Sequence, residues 1–361
     1  MDLTVACIIS SHGYGHAARS SAVMTAMQQR RPDLKFEIIT QVNPPFFQVS
    51  FPGKYTCHIE WTDVGLVQND PFVEDLSGTA NRLEDFLSDW DEILQRIHVI
   101  LRETRSRLVI ADIAPIGIAA ARAANLPSVL IENFTWDWIY SGYPGWREQV
   151  EKPIHLFADC FRSATYHIQT IPVCSPDPNS NLLTQPVSRP HRIERGELRA
   201  SLHIPPGAKV VLITTGGIEN RPGFLDRLTG IKNVFFLVPG GSKDRLIVEG
   251  GLVAFPHQST FFHPDLVNAS DAVIGKAGYS TIAEVYRAGI PFGFISRENF
   301  PESASLEKFI RDEIPGVPIA LARFDSGDWL SDLDQILSLP RVECSSPNGA
   351  DQISDFLLPL L

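Results

Sequence analysis

The sequence predicts an α/β protein built from two doubly wound, Rossmann-like domains that face each other across a cleft. Short apolar, β-branched runs alternate with longer stretches of helical period, the pattern of parallel strands joined by crossover helices. The alternation is interrupted once, by a Pro-, Ser- and Asn-rich stretch over residues 172–209, and then restarts. The length of 361 residues is about twice that of a common domain.

In the first half, strands are expected over 4–10, 36–40, 108–111 and 128–131, with a further candidate at 167–170. Their near-continuous hydrophobicity suits strands buried on both faces. Helical patterns cover 17–29, 78–104 and 116–124, each bounded near a Gly, Pro or Asn. The interruption holds one short helical patch, 194–201. Beyond it, strands are expected over 210–214, 233–238, 252–254, 272–274 and 292–295. Helices are expected over 221–228, 264–269, 281–288 and 302–313. The tail NGADQISDFLLPLL sets Asn348 and Gly349 ahead of a last apolar-periodic helix. In such folds ligands bind at the carboxyl ends of the strands.

Composition excludes several classes. With 44% hydrophobic and 20% charged residues the chain is neither a coiled coil, a collagen nor a disordered polymer. Forty-two acidic against 31 basic residues, a net charge of -11, argue against broad binding to a nucleic acid polymer or an anionic membrane. The five cysteines (7, 57, 160, 174 and 344) form no C-x-x-C pair, so zinc and disulfide frameworks are not expected. No basic segment precedes the first apolar run, and no run nears the ~20 residues of a membrane span. A cytoplasmic protein without a transmembrane segment is expected.

Four segments carry candidate chemistry. SSHGYGHAARS, residues 10–20, follows the first strand. Its glycines let backbone N–H groups approach a ligand, the next helix start favours negative charge, and His16 is a candidate general base. A tight turn with capping histidines accounts for the same residues. IGKAGYSTIAE, residues 274–284, repeats the strand–loop–helix pattern. Ser280 or Thr281 is the expected N-cap, Lys276 suits a phosphate, and Glu284 could accept from ribose hydroxyls; a capped, solvated helix face is the alternative. Thr214-Thr215-Gly216-Gly217 offers further backbone donors or an ordinary turn. The aromatic segment from Asn133 to Trp146, with Trp136 and Asp137, reads as a stacking wall or as core packing.

At these residues the chain resembles glycosyltransferases of the GT-B fold, in particular the glycosyltransferase-like N-terminal half of L-arabinokinases and its stand-alone relatives. The likeness covers nearly the whole chain. It rests on HGYGHAARS, ADIAPIGIAAARAANLPSVLIENFTWDWIYSGY, HPDLVNASDAVIGKAGYSTIAEVYRAGIPFGFISRENF and NGADQISDFL. The second domain is similar, more distantly, to the N-acetylglucosaminyltransferase that makes lipid II. The resemblance implies an acceptor-side domain over 1–185, a nucleotide-sugar domain over 186–346, and a terminal helix, 347–361, that braces the first. It implies a UDP-sugar whose ribose meets Glu284 and whose diphosphate meets Gly278, Ser280 and Thr281, with Gly216 and Gly217 opposite. His263 and Lys276 fall beside the nucleotide. Arg297 and Glu302 lie where related enzymes hold the donor sugar, with His12, Gly13, Gly15 and Trp136 on the acceptor side. His16, or else Asp137, would deprotonate the acceptor hydroxyl. The kinase phosphate loop of arabinokinases is missing from these residues, so arabinose phosphorylation is not expected of them.

The function expected is inverting glycosyl transfer without a metal or another cofactor; the absence of a D-x-D-like pair near the motifs is consistent with metal independence. The partners are a nucleotide-sugar donor and a hydroxyl acceptor. A non-catalytic nucleotide-sugar sensor or scaffold and a nucleotide-sugar 2-epimerase are the alternatives.

Overall fold

Two seven-stranded sheets organise the chain in the computed structural model, which describes residues 3–70, 72–216, 222–256 and 259–361. The first sheet comprises β1 (Leu3–Ile9), β2 (Leu34–Ile39), β3 (Tyr55–His58), β4 (Leu108–Asp112), β5 (Ser128–Glu132), β6 (Tyr166–Thr170) and β7 (Leu182–Thr184). They run in the order β3-β2-β1-β4-β5-β6-β7, all parallel. The second comprises β8 (Lys209–Thr214), β9 (Val234–Ser242), β10 (Ile247–Glu249), β11 (Leu252–Pro256), β12 (Ala272–Lys276), β13 (Phe292–Ile295) and β14 (Gly316–Pro318). Its order is β10-β11-β9-β8-β12-β13-β14, with β10 alone antiparallel to its neighbour. Both are doubly wound α/β sheets.

Side-chain alternation along each strand feeds two cores per sheet. In β1, Val5, Cys7 and Ile9 join Met24 and Met27 of the Gly15–Arg30 helix on one face. Ala6 and Ile8 join Ile97, Leu101 and Ile116 on the other. The helix Gly349–Leu357 belongs to the first domain's core: Asn348 caps it by accepting from Ala350 N at 3.0 Å, and Ala350, Ile353 and Leu357 are buried in the cluster that holds Met24 and Met27.

Several sequence expectations shift. The pattern over 78–104 is two helices, Leu76–Ser88 and Trp90–Glu103, meeting at Asp89. The helix Glu151–Arg162, not anticipated, buries Ile154, Phe157 and Phe161. Of the helix expected over 221–228, Leu225–Leu228 is formed, and residue 221 lies outside the described residues. The domains also exchange aromatics. Phe72, from the hairpin Gln68–Asp70 and Val73–Glu74, enters the second domain's core beside Phe324, and Phe300 enters the first domain's core. Burying one phenylalanine contributes about 1.5–3 kcal/mol.

Candidate active site

Crevices open in a doubly wound sheet where neighbouring strands send their connections to opposite faces. β1 and β4 are such neighbours. The helix after β1 packs on one face, and the helix Pro115–Ala123 after β4 packs on the other. His16 stands at the start of the first helix and Asp112 ends β4, so both point into this crevice. His16 Nδ1 lies 2.8 Å from Asp112 Oδ1. Arg19, one turn along the helix, donates from Nε to Asp112 Oδ2 at 2.8 Å, and Ser20 Oγ donates to the same oxygen at 3.1 Å. Burial pushes the Asp112 carboxyl up, but the Arg19 guanidinium and His16 outweigh it and bring it down to about 2. Asp112 is therefore ionised, and Nδ1 of His16 must be the donor to it. Nε2 is left as the nitrogen that can accept a proton.

Backbone geometry helps to aim Asp112. Ile113 has φ of 45°, unusual for a β-branched residue, and turns the chain sharply after the carboxylate. Gly13, at φ of 69°, supplies the left-handed turn that a side chain resists. Beneath this loop the carboxylate of Asp63 accepts from Ser11 N at 3.3 Å and from Trp136 Nε1 at 2.7 Å. His12 packs edge-on against Trp136 with 5.2 Å between ring centres. Burial, then the charges of Arg297, His16 and Lys276, hold His12 well below the usual imidazole range, so it is neutral.

In the second sheet β8 and β12 are neighbours, and their ends carry Gly216 and Lys276. A Cβ added at Gly216 would lie 3.8 Å from Lys276 Nζ. Burial and the neighbouring Arg297 bring the Lys276 ammonium down to about 7. The next helix begins at Tyr279, with Gly278 as an extended N-cap that makes no side-chain bond. The expected cap of Ser280 or Thr281 is thus corrected: both lie inside the first turn, where backbone N–H groups have no helical acceptor. This helix start faces that of the first domain so closely that a Cβ at Gly15 would lie 3.8 Å from Ser280 Oγ. Two helix N-termini, each favouring negative charge, converge here.

A cavity of about 590 Å³ lies between the domains, within the usual range for ligand sites. It brings together His12, Gly13, Gly15, His16, Gly216, His263, Lys276, Gly278, Ser280, Thr281, Arg297 and Glu302. Gly217 lies outside the described residues. Three candidates stand back from the lining. Trp136 is fully buried beneath His12, and Asp137, whose carboxyl is raised by burial, does not line the cavity and has Oδ1 without a hydrogen-bond partner among the described residues. Glu284 is 4% exposed and taken up by the chain itself: Oε1 accepts from Arg189 Nε and Nη2 at 3.1 and 2.8 Å, and Oε2 accepts from His263 Nδ1 at 2.6 Å. Arg297 pairs with Glu302, lies over the Phe300 ring and keeps Nη1 without a partner among the described residues.

Sequence reasoning missed Asp112, Arg19 and Arg189. Asp112 had a signal, a lone carboxylate closing the apolar strand LVIAD. Arg189 sits in the Pro-rich connection, where nothing in the pattern marks it. Among the described residues no group of three or more His, Cys, Asp or Glu is placed to hold a metal ion. No helix among them is long and apolar enough to cross a membrane.

No protein-family model matches the chain. It is 25% identical over 357 residues to an L-arabinokinase of Arabidopsis thaliana, covering 97% of this chain but 33% of that protein. It thus spans about a third of the relative's length. Among solved structures, the glycotransferase of kitacinnamycin superposes with a TM-score of 0.64 at 14% identity, covering 99% of both chains. A UDP-glucosyltransferase from Polygonum tinctorium superposes with a TM-score of 0.62 at 11% identity, covering 100% of this chain and 93% of the other. At such identities the likeness is one of fold.

Proposed function

We propose that this chain, which has the two-domain GT-B fold of those glycosyltransferases, transfers a sugar from a UDP-sugar to an acceptor hydroxyl with inversion and without a metal. The observation that carries the reading is the His16–Asp112–Arg19 cluster on one wall of the cleft, opposite the open helix start at Ser280 and Thr281 on the other. Asp112 holds His16 in the tautomer whose Nε2 accepts a proton, as the carboxylate does in a catalytic triad. Nε2 takes the acceptor proton while the acceptor oxygen bonds to the anomeric carbon. The bond from that carbon to the diphosphate oxygen breaks from the opposite face, and its electron pair leaves with UDP. Charge developing on the leaving group meets the first-turn N–H groups of the Tyr279–Ala288 helix and Lys276. Arg297 and Glu302 are the groups we assign to the donor sugar. Asp137 is not needed for any of these steps.

Thermal shift with a panel of nucleotides and nucleotide sugars tests the donor site, because a ligand selective for the folded state raises its apparent stability. Release of UDP from the donor that binds best then tests catalysis. Replacing His16 with Ala is expected to slow release about 10²–10⁴-fold, the usual worth of a general base. A protein that binds UDP but consumes no donor would be a sensor, and the transferase reading would fail.

A further inference from the structure

His263 and Glu284 repeat on the second domain the arrangement of His16 and Asp112 on the first. In each case a buried carboxylate is held by an arginine and bonded to Nδ1 of a histidine that lines the cleft, at 2.6 Å in the second domain and 2.8 Å in the first. Glu284 itself does not line the cavity. Arg189 fills its Oε1 from two nitrogens, donates from Nη1 to Ser50 Oγ at 2.8 Å, and packs 5.0 Å from the Phe262 ring and 5.6 Å from the Phe46 ring. Arg189 borders the cavity, but all three of its guanidinium nitrogens are hydrogen-bonded within the chain, which holds it on the carboxylate. The charge of Arg189 and the bond from His263 outweigh burial and hold the Glu284 carboxyl below its usual range, so Nδ1 of His263 is the donor. In the neutral ring, Nε2 then carries a lone pair.

Position along the helix indicates which part of a ligand meets this nitrogen. Glu284 lies four residues beyond Ser280, about 6 Å along the axis. That is the step from a phosphate at the helix start to the hydroxyls of the attached ribose. We propose that His263 Nε2 accepts a hydrogen bond from a ribose hydroxyl of the donor nucleotide, with Glu284 as a positioning residue that does not touch the ligand and Arg189 holding that carboxylate in place. The proposal rests on the nucleotide-sugar reading above and makes His263, rather than the carboxylate, the group that distinguishes ribose from deoxyribose.

Calorimetric titration of the full chain with UDP, 2′-deoxy-UDP and 3′-deoxy-UDP tests it. The wild type is expected to bind UDP about tenfold more tightly than one of the deoxy analogues, the worth of one net hydrogen bond. His263→Phe should bring UDP down to that analogue's affinity while leaving the analogue within about twofold. His263→Gln, which keeps an acceptor, should restore part of the preference. The inference is overturned if His263→Phe weakens UDP and both analogues equally, or if it keeps the preference and Glu284→Gln removes it. The second result would mean direct contact with the carboxylate. Failure of the wild type to bind any of the three would instead overturn the nucleotide-site reading beneath it.

Discussion

Replacing Asp112 with Asn keeps the shape of the side chain and removes the charge that orients His16. In the wild type the carboxylate accepts from His16 Nδ1, from Arg19 Nε and Nη2 and from Ser20 Oγ, and all four donors point at it. An asparagine has one oxygen for these donors. Arg19 is always charged and buried, so that oxygen turns to the guanidinium and the amide NH₂ faces His16. His16 must then accept at Nδ1 and carry its proton on Nε2, which can no longer take one from an acceptor. Where this tautomer error has been measured in a serine protease triad, turnover drops about 10⁴-fold, and a loss of about 10³–10⁴ is expected here. The charge lost also supports the fold. The lowering of Asp112 from the ordinary 3.8 to about 2 corresponds to about 2 kcal/mol of stabilisation. Because the folded value is lowered, that contribution is complete above pH ~4 and is lost as the pH falls towards 2. The assay is UDP release under saturating donor, with UDP affinity and melting temperature measured alongside. Turnover within twofold of wild type, with nucleotide binding intact, would refute the assignment of His16 and Asp112.

Asp137→Asn is expected to leave turnover within about twofold, because Asp137 does not line the cleft; a large loss in a variant that still binds UDP would restore it as the base. Lys276, at about 7, is mostly neutral in the free protein above that pH, so binding a diphosphate there draws in a proton. Affinity for a UDP-sugar should fall by up to about tenfold per unit from pH 7 to 8.5, and Lys276→Met should flatten that slope in calorimetry. The unfolded chain binds more protons at this lysine between pH 7 and 10.5, so it should also make the wild type more stable as pH climbs through that window, visible in denaturant midpoints that Lys276→Met renders flatter. Gly275→Ala would put a Cβ 2.0 Å from the Thr214 carbonyl oxygen between β8 and β12, and a loss of about 3 kcal/mol is expected in urea unfolding.

The strands visible in the sequence and those missed differ by position in the sheet. β1, β4, β5, β8 and β12 are interior, buried on both faces, and so carry uninterrupted apolar runs. All four unpredicted sheet strands, β3, β7, β10 and β14, are sheet edges. Their side chains are partly exposed, and a mixed sequence such as YTCH leaves no periodic trace. The long helix Glu151–Arg162 was hidden differently: its apolar face starts directly after a turn-rich aromatic segment that masks its beginning.

The sequence by itself determined the two α/β units, the Gly-rich turns after β1 and β12, and the candidate His16, because these depend on contacts a few residues apart and on burial averaged over a strand. Only the tertiary structure decided which carboxylate serves His16. Asp112 is 96 residues away, and nothing in the local pattern around His16 points to it. It also decided that Glu284 is enclosed by Arg189, across 95 residues, and by His263. Local sequence patterns carry no information on which buried charges meet. Those pairings follow from strand order, which brings the end of β4 beside β1, and from the need of each buried carboxylate for a partner wherever the fold supplies one.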